Sequence, residues 1–163
     1  MKRKGGFTLV ELLIVIMIIG ILAGMVLLSM GPVLDSVRAS NVISDTRTVL
    51  SAAHMFLVDG MEFPVAGTDD DALVKLMNKD VLKDGKKYDS IAYATVGEAR
   101  YIGLELGDDY NTAGIKASLK KKAGDIGGVG ATAQSANAIT NPYTNQKFFL
   151  LPLNQAAGGT TTP

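Results

Sequence analysis

The 163-residue chain has no cysteine and one histidine, His54, and only 20% of its residues are charged. Without cysteine there is no disulfide, no thiolate metal site and no cysteine nucleophile. A lone histidine leaves no histidine pair for a metal, and one beside an apolar helical stripe packs or is solvated. Nothing in the chain assembles a nucleophile with a base, so no catalytic residue, cofactor or metal ligand is assigned. Charge of either sign is also not in excess, with 16 basic against 16 acidic residues. Lys2, Arg3 and Lys4 hold three of the positive charges, and the remainder is mildly acidic, which is no footprint for nucleic acid. The sharpest scarcity is local: from Phe7 to Met30 the only charged residue is Glu11.

What fills that interval is a 24-residue apolar run. As a helix it extends roughly 36 Å, enough to cross a hydrocarbon core of about 30 Å. The preceding Lys-Arg-Lys places the N-terminus in the cytoplasm. A cleaved secretory signal shares the basic start, but its apolar core is shorter, and cutting after Gly31 leaves Pro32 at the new end. A plain anchor explains the length but neither Glu11 nor the glycine pair before Phe7. An acid in a membrane span costs up to about 3 kcal/mol and calls for a partner. Cutting between Gly6 and Phe7 supplies one: the new α-amino group lies one helical turn from Glu11, on the same face. On this reading Glu11 is accounted for only once the leader is gone or a neighbouring chain is present.

The segment GGFTLVELLIVIMIIGILA, with a short basic leader ending in Gly6, an aromatic Phe7 and Glu11 in the fifth place after the cut, resembles the N-terminal signature of type IV pilins and of the pseudopilins of type II secretion. The resemblance covers about the first 60 residues. It implies cleavage after Gly6 and N-methylation of Phe7 by a membrane-embedded prepilin peptidase. It also implies pairing of Glu11 with the N-terminal amine of an adjacent subunit, and filament growth driven by an assembly ATPase and platform protein. Gly20 and Gly24 form a GxxxG spacing that permits close helix packing, although glycine is common in spans in any case. Gly20 also matches a position where helices of the family loosen in filaments. A proline that many pilins carry near position 28 is replaced by Leu28, and Gly31-Pro32, slightly later, should weaken or kink the helix.

From Val33 to Val58 the pattern becomes one-sided. Ala39, Val42/Ile43, Thr46, Val49/Leu50, Ala53 and Phe56/Leu57 recur at helical steps, with Asp35, Arg38, Asn41, Asp45 and Arg47 mostly off the stripe. Asp59-Gly60 ends that helix. Thr68 and Asp71 form a capping box for a short helix, a better account of the three adjacent aspartates than a calcium loop. YDSIAYATV and ARYIGLEL read as strands, and TAGIKASLKKKAG as a short helix with Lys120, Lys121 and Lys122 solvated near its end, favourable to the dipole. GDIGGVGATAQSANA reads as a loop. In NPYTNQKFFLLPL a turn leads to a last strand that Pro152 places at an edge or at its own end.

The expected fold is α+β, a long N-terminal helix packed through its second half on a small antiparallel sheet. Its segments are a leader at 1–6, an apolar transmembrane or filament-core helix at 7–30, an amphipathic half at 31–58, a head at 59–153 and a loose tail at 154–163. The expected function is structural: a subunit of a type IV pilus-like filament, the alternative being a pseudopilin of a type II secretion or DNA-uptake system. Among the acids only Asp125 lies beyond residue 109, so the calcium-binding acidic loop near the C-terminus of major pseudopilins has no counterpart, which favours the pilus. Expected partners are further copies and related minor pilins, the peptidase and the assembly machinery. The precursor is expected in the cytoplasmic membrane and the assembled protein outside the cell, or in a periplasmic filament if it is a pseudopilin.

Overall fold

A computed structural model describes residues 6–58, 60, 73–75, 81–83, 86–132, 139–140 and 143–154. The basic triplet Lys2–Lys4, the capping box at Thr68 and Asp71 and the tail from 155 onward lie outside them. Helix α1 spans Leu9–Val58, helix α2 Ala113–Ile126, and five strands follow the order β1 Tyr88–Val96, β2 Ala99–Leu106, β3 Val129–Ala131, β4 Ile139–Thr140 and β5 Phe148–Asn154. The chain divides into two compact units, one up to Leu34 and one from Asp35 onward.

The first unit consists, among the described residues, of the apolar part of α1. Helix continues through Gly31-Pro32, with Pro32 inside it. Proline has no N–H, so the carbonyl of residue 28 lacks its intrahelical donor at that turn.

In the second unit the one-sided stripe of α1 is buried as its spacing requires: Ala39, Val42, Val49, Ala52, Ala53 and Phe56 all belong to the main core. Opposite them the strands present alternate residues, Ile91 and Tyr93 from β1, Ile102, Leu104 and Leu106 from β2, Phe149, Leu151 and Leu153 from β5. The residues between them, Ala92, Ala94, Phe148 and Leu150, join Val129 and Ala131 in a second, smaller core. The strand period of two therefore sorts one sheet into two buried faces, which explains the nearly continuous apolar run of β5. Fully burying a leucine or phenylalanine side chain contributes about 2 kcal/mol, so the stripe and its partners dominate the fold.

The sheet is antiparallel with order β1-β2-β5-β3-β4. A two-residue loop joins β1 to β2, with Gly97 at φ 60°, the left-handed conformation such a loop requires. Gly103 in β2 faces the Phe149 carbonyl and the Leu150 Cα so closely that any side chain there would collide with backbone. β5 lies inside the sheet, so Pro152 does not mark an edge strand. It sits where β3, which pairs only with Phe148 to Leu150, has already ended, and its missing N–H therefore interrupts no ladder on that side.

Asp45 does not lie off the stripe as expected. It is 8% exposed and accepts a 2.9 Å hydrogen bond from the Tyr88 hydroxyl. Three residues after Val42 and four before Val49, it lies on the stripe, and the tyrosine supplies the donor a buried carboxylate needs. Helix α2 runs further than TAGIKASLKKKAG suggests. Gly124 does not stop it; Gly127, at φ 67°, does. The lysines thus lie a turn before the end and do not complement its dipole. Lys122 is not solvated: its Nζ donates to the Ser36 carbonyl at 2.9 Å and to Ser40 Oγ at 2.7 Å, fastening α2 to α1. Near the other end of α2, Gly114 closely approaches the Asp35 carboxylate, a favourable place for an acid. The expected loop after α2 contains β3, a strand of three small residues too short to show a period.

His54 Nε2 lies 3.1 Å from the Leu153 carbonyl, a polar tie between α1 and the last strand. Gly60, at φ 81°, donates its N–H to the Leu57 carbonyl and closes α1 as expected of a C-terminal glycine.

Candidate functional site

The residues singled out for processing and assembly lie at the start of α1. Gly6, Phe7 and Thr8 precede the helix, and Phe7 is 88% exposed. Thr8 caps it: the Glu11 N–H donates to Thr8 Oγ1 at 3.2 Å. In return Glu11 Oε2 accepts from the Thr8 N–H at 2.8 Å and from the Thr8 hydroxyl at 2.7 Å. This reciprocal pair is a capping box, and it satisfies two of the backbone donors that the first turn leaves open. An acid in that turn also suits the helix dipole.

The box adds to the expected charge pairing a role for Glu11 within its own first turn. Before any cleavage Glu11 already has two donors within its own turn. No hydrogen bond joins Glu11 to Phe7 among the described residues. Thr8 was the overlooked member of the site, although Thr8-Leu9-Val10-Glu11 carries the same Thr-x-x-acid spacing that was recognised at Thr68. An acid inside an apolar run directs attention to charge neutralisation and away from capping.

Beyond the cap, Leu9 to Leu27 has a mean hydropathy of 2.9 and no buried residue, and it is long and apolar enough to cross a membrane. Its surface is apolar all round: Leu9 is 79% exposed, Ile16 61% and Leu22 56%. A helix apolar on every face has no preferred side for a soluble core, so it is suited to lipid or to a bundle of like helices. Gly20, Gly24 and Gly31 are exposed, and a methyl group added at any of them meets nothing within 4 Å. Within one chain these glycines have no packing role, and the described residues bring no second helix to them. Among the described residues, no group of three or more histidine, cysteine, aspartate or glutamate side chains is placed to hold a metal.

A family model described as the prokaryotic N-terminal methylation motif matches residues 1–27, the span that contains Gly6, Phe7, the Thr8–Glu11 box and the exposed apolar helix. Over these residues the chain carries that motif. It is similar to type II secretion system core protein G of Pseudomonas aeruginosa, 30% identical over 74 residues, which is 45% of this chain and 52% of that protein. The protein of the same name from Aeromonas hydrophila is 33% identical over 73 residues, 45% of this chain and 51% of the relative. That from Klebsiella pneumoniae is 32% identical over 74 residues, 45% and 53% of the two chains. The chain spans about half the length of the curated relatives it matches. No solved structure matches it significantly.

Proposed function

We propose that this protein is a structural subunit of a type IV pilus-like filament, held in the membrane as a precursor and polymerised through the apolar part of α1. The observation that carries this reading is the fully exposed apolar helix Leu9–Leu27 directly after Gly6-Phe7. That much apolar surface does not stay in water: it is held in lipid before assembly and packed against other copies afterwards. In this reading a prepilin peptidase cuts after Gly6 and methylates Phe7. Cleavage leaves the Thr8–Glu11 box intact, because neither member lies in the leader. Glu11 therefore enters assembly on a formed first turn, with its carboxylate available to the amine of a neighbour. Gly20 and Gly24 let helices approach closely, and Gly31-Pro32 is the weak turn of the helix. The role is structural rather than catalytic, and related minor subunits, an assembly ATPase and a platform protein complete the system.

The test separates charge from capping. Glutamine preserves a capping box but has no negative charge to pair with an ammonium group. Filaments are sheared from cells producing wild type, Glu11→Gln or Glu11→Ala, and their yield and the mass of the subunit are measured. Expected are wild-type filaments of subunits beginning at a methylated Phe7, and almost none from either variant. Normal yield from Glu11→Gln refutes the charge pairing, and subunits that retain Met1 refute the processing.

A second reading, a pseudopilin of type II secretion, is favoured by the likeness to core protein G of three organisms. It predicts that processed subunits stay with the cell envelope after shearing and that secretion fails when the protein is removed.

A further inference from the structure

Charge is distributed unevenly over the second unit. Ile115, Leu119 and Ala123 fix the buried side of α2. Lys120 and Lys121 lie about 100° and 200° round from Leu119 and are exposed. Lys122 is turned back onto Ser36 and Ser40, so two of the three lysines face outward. At the other end of the same helix, the turn before the N-cap Thr112 displays Asp108 and Asp109, both exposed. Backbone hydrogen bonds hold this turn in place: Asp109 N–H to the Lys86 carbonyl at 3.0 Å and Tyr110 N–H to the Gly107 carbonyl at 2.9 Å. None of the four side chains has an ion-pair partner among the described residues. Lys120 lies about 11 Å along the axis from Ala113, so the two patches do not neutralise each other within one chain.

We propose that Lys120 and Lys121 of one copy dock on the Asp108–Asp109 turn of a second copy, a head-to-tail contact between neighbouring heads. Two cations meet two carboxylates on surfaces that are both fixed by α2. Because the donor and acceptor patches are different surfaces of the same molecule, the contact is heterologous. Repeated, such a contact closes into a ring or propagates as an open helix. Within the filament reading, on which the proposal rests, it propagates. A nucleic acid fits less well, because no aromatic side chains are interleaved with the lysines.

The test uses the full-length protein in assembled filaments. A carbodiimide, which joins a carboxylate to an amine it touches, is applied to wild-type filaments. Expected is a ladder of dimers and higher species, linked between Asp108 or Asp109 and Lys120 or Lys121 and lost in the Lys120→Gln, Lys121→Gln variant. Reversing the lysines to glutamate lowers filament yield about tenfold, since attraction at two pairs becomes repulsion. Reversing Asp108 and Asp109 to lysine does the same, and reversing all four restores the yield. Wild-type filaments that give no such cross-link overturn the docking proposal and leave the filament reading standing. So do normal yields from both single-sided reversals. Absence of wild-type filaments defeats both. Lysine-dependent retention on anionic vesicles, with filament yield unchanged by reversal, assigns the lysines to a lipid surface and overturns the contact.

Discussion

Replacing Tyr88 by phenylalanine removes one oxygen from the tie between α1 and the sheet. Tyr88 is 1% exposed, its hydroxyl donates to Asp45 Oδ2 at 2.9 Å, and its ring packs against Tyr110 with centroids 5.5 Å apart. Phenylalanine keeps the ring contacts, so the change isolates the hydrogen bond. A bond to a charged group contributes about 1.5–3 kcal/mol. Phenylalanine supplies no replacement donor, so a loss of about 2 kcal/mol is expected. For a domain of this size that lowers the melting temperature by about 6–8 °C. Asp45→Asn keeps an acceptor without the charge and should cost about 1 kcal/mol, with the double variant less destabilised than the sum. Burial raises the Tyr88 hydroxyl pKa well above the ordinary tyrosine value, and the Asp45 carboxylate raises it further. The folded state thus holds this proton more tightly than the unfolded chain. The resulting stability is fully present below the unfolded value of about 10 and is lost as pH rises beyond it. Tyr88→Phe should therefore flatten the alkaline fall in stability. Urea and thermal unfolding of the full chain in detergent micelles, followed by circular dichroism at several pH values, measure all of this. Costs below about 0.5 kcal/mol that simply add refute the buried pair as a stabilising tie.

Thr8→Ala should remove the capping box at a cost of about 1 kcal/mol, read as faster amide exchange over residues 9–12 with no change in the melting of the head. Gly103→Ala forces a methyl group onto the Phe149 carbonyl, and proteolysis should show that little folded head accumulates. Gly24→Ala meets no atom, so the head should melt as wild type, and any change should appear in filament yield alone. Lys147 bridges Asp89 at 2.7 Å and Glu105 at 2.8 Å, and hydrogen bonds to these two carboxylates raise its pKa above the usual lysine value. Because its side chain is about two-fifths exposed, Lys147→Met should cost less than about 1 kcal/mol in thermal melts, with that contribution present at neutral pH and lost as pH rises past the lysine range.

The elements most legible in the sequence were those whose pattern is local. β1 and β2 were readable because Ile102, Leu104 and Leu106 alternate with Tyr101, Gly103 and Glu105, and α1 because its stripe recurs every three or four residues. β3 was missed because Val129-Gly130-Ala131 is too short to show a period, and its pairing with β5 is a long-range event. The end of α2 was misplaced because Gly124 and Gly127 look alike in sequence, and only the backbone at Gly127 takes the left-handed turn. Asp45 is expected off the stripe and Lys122 at a solvated helix end because charge in a sequence carries no record of the groups folding brings to it, a tyrosine 43 residues away and two serines more than 80 residues away.

The sequence alone determined the N-terminal methylation motif and the apolar helix, because both depend on composition and on spacing within a few residues. Tertiary structure decided the strand order, the two buried faces of one sheet and the partners of Tyr88 and Lys122. Those depend on which distant surfaces meet, and burial makes a polar group's energy depend on its neighbours rather than on its own chemistry. Glu11 belongs to both accounts: its place in an apolar run marks it as unusual, and the fold of its own first turn supplies the donors that hold it there.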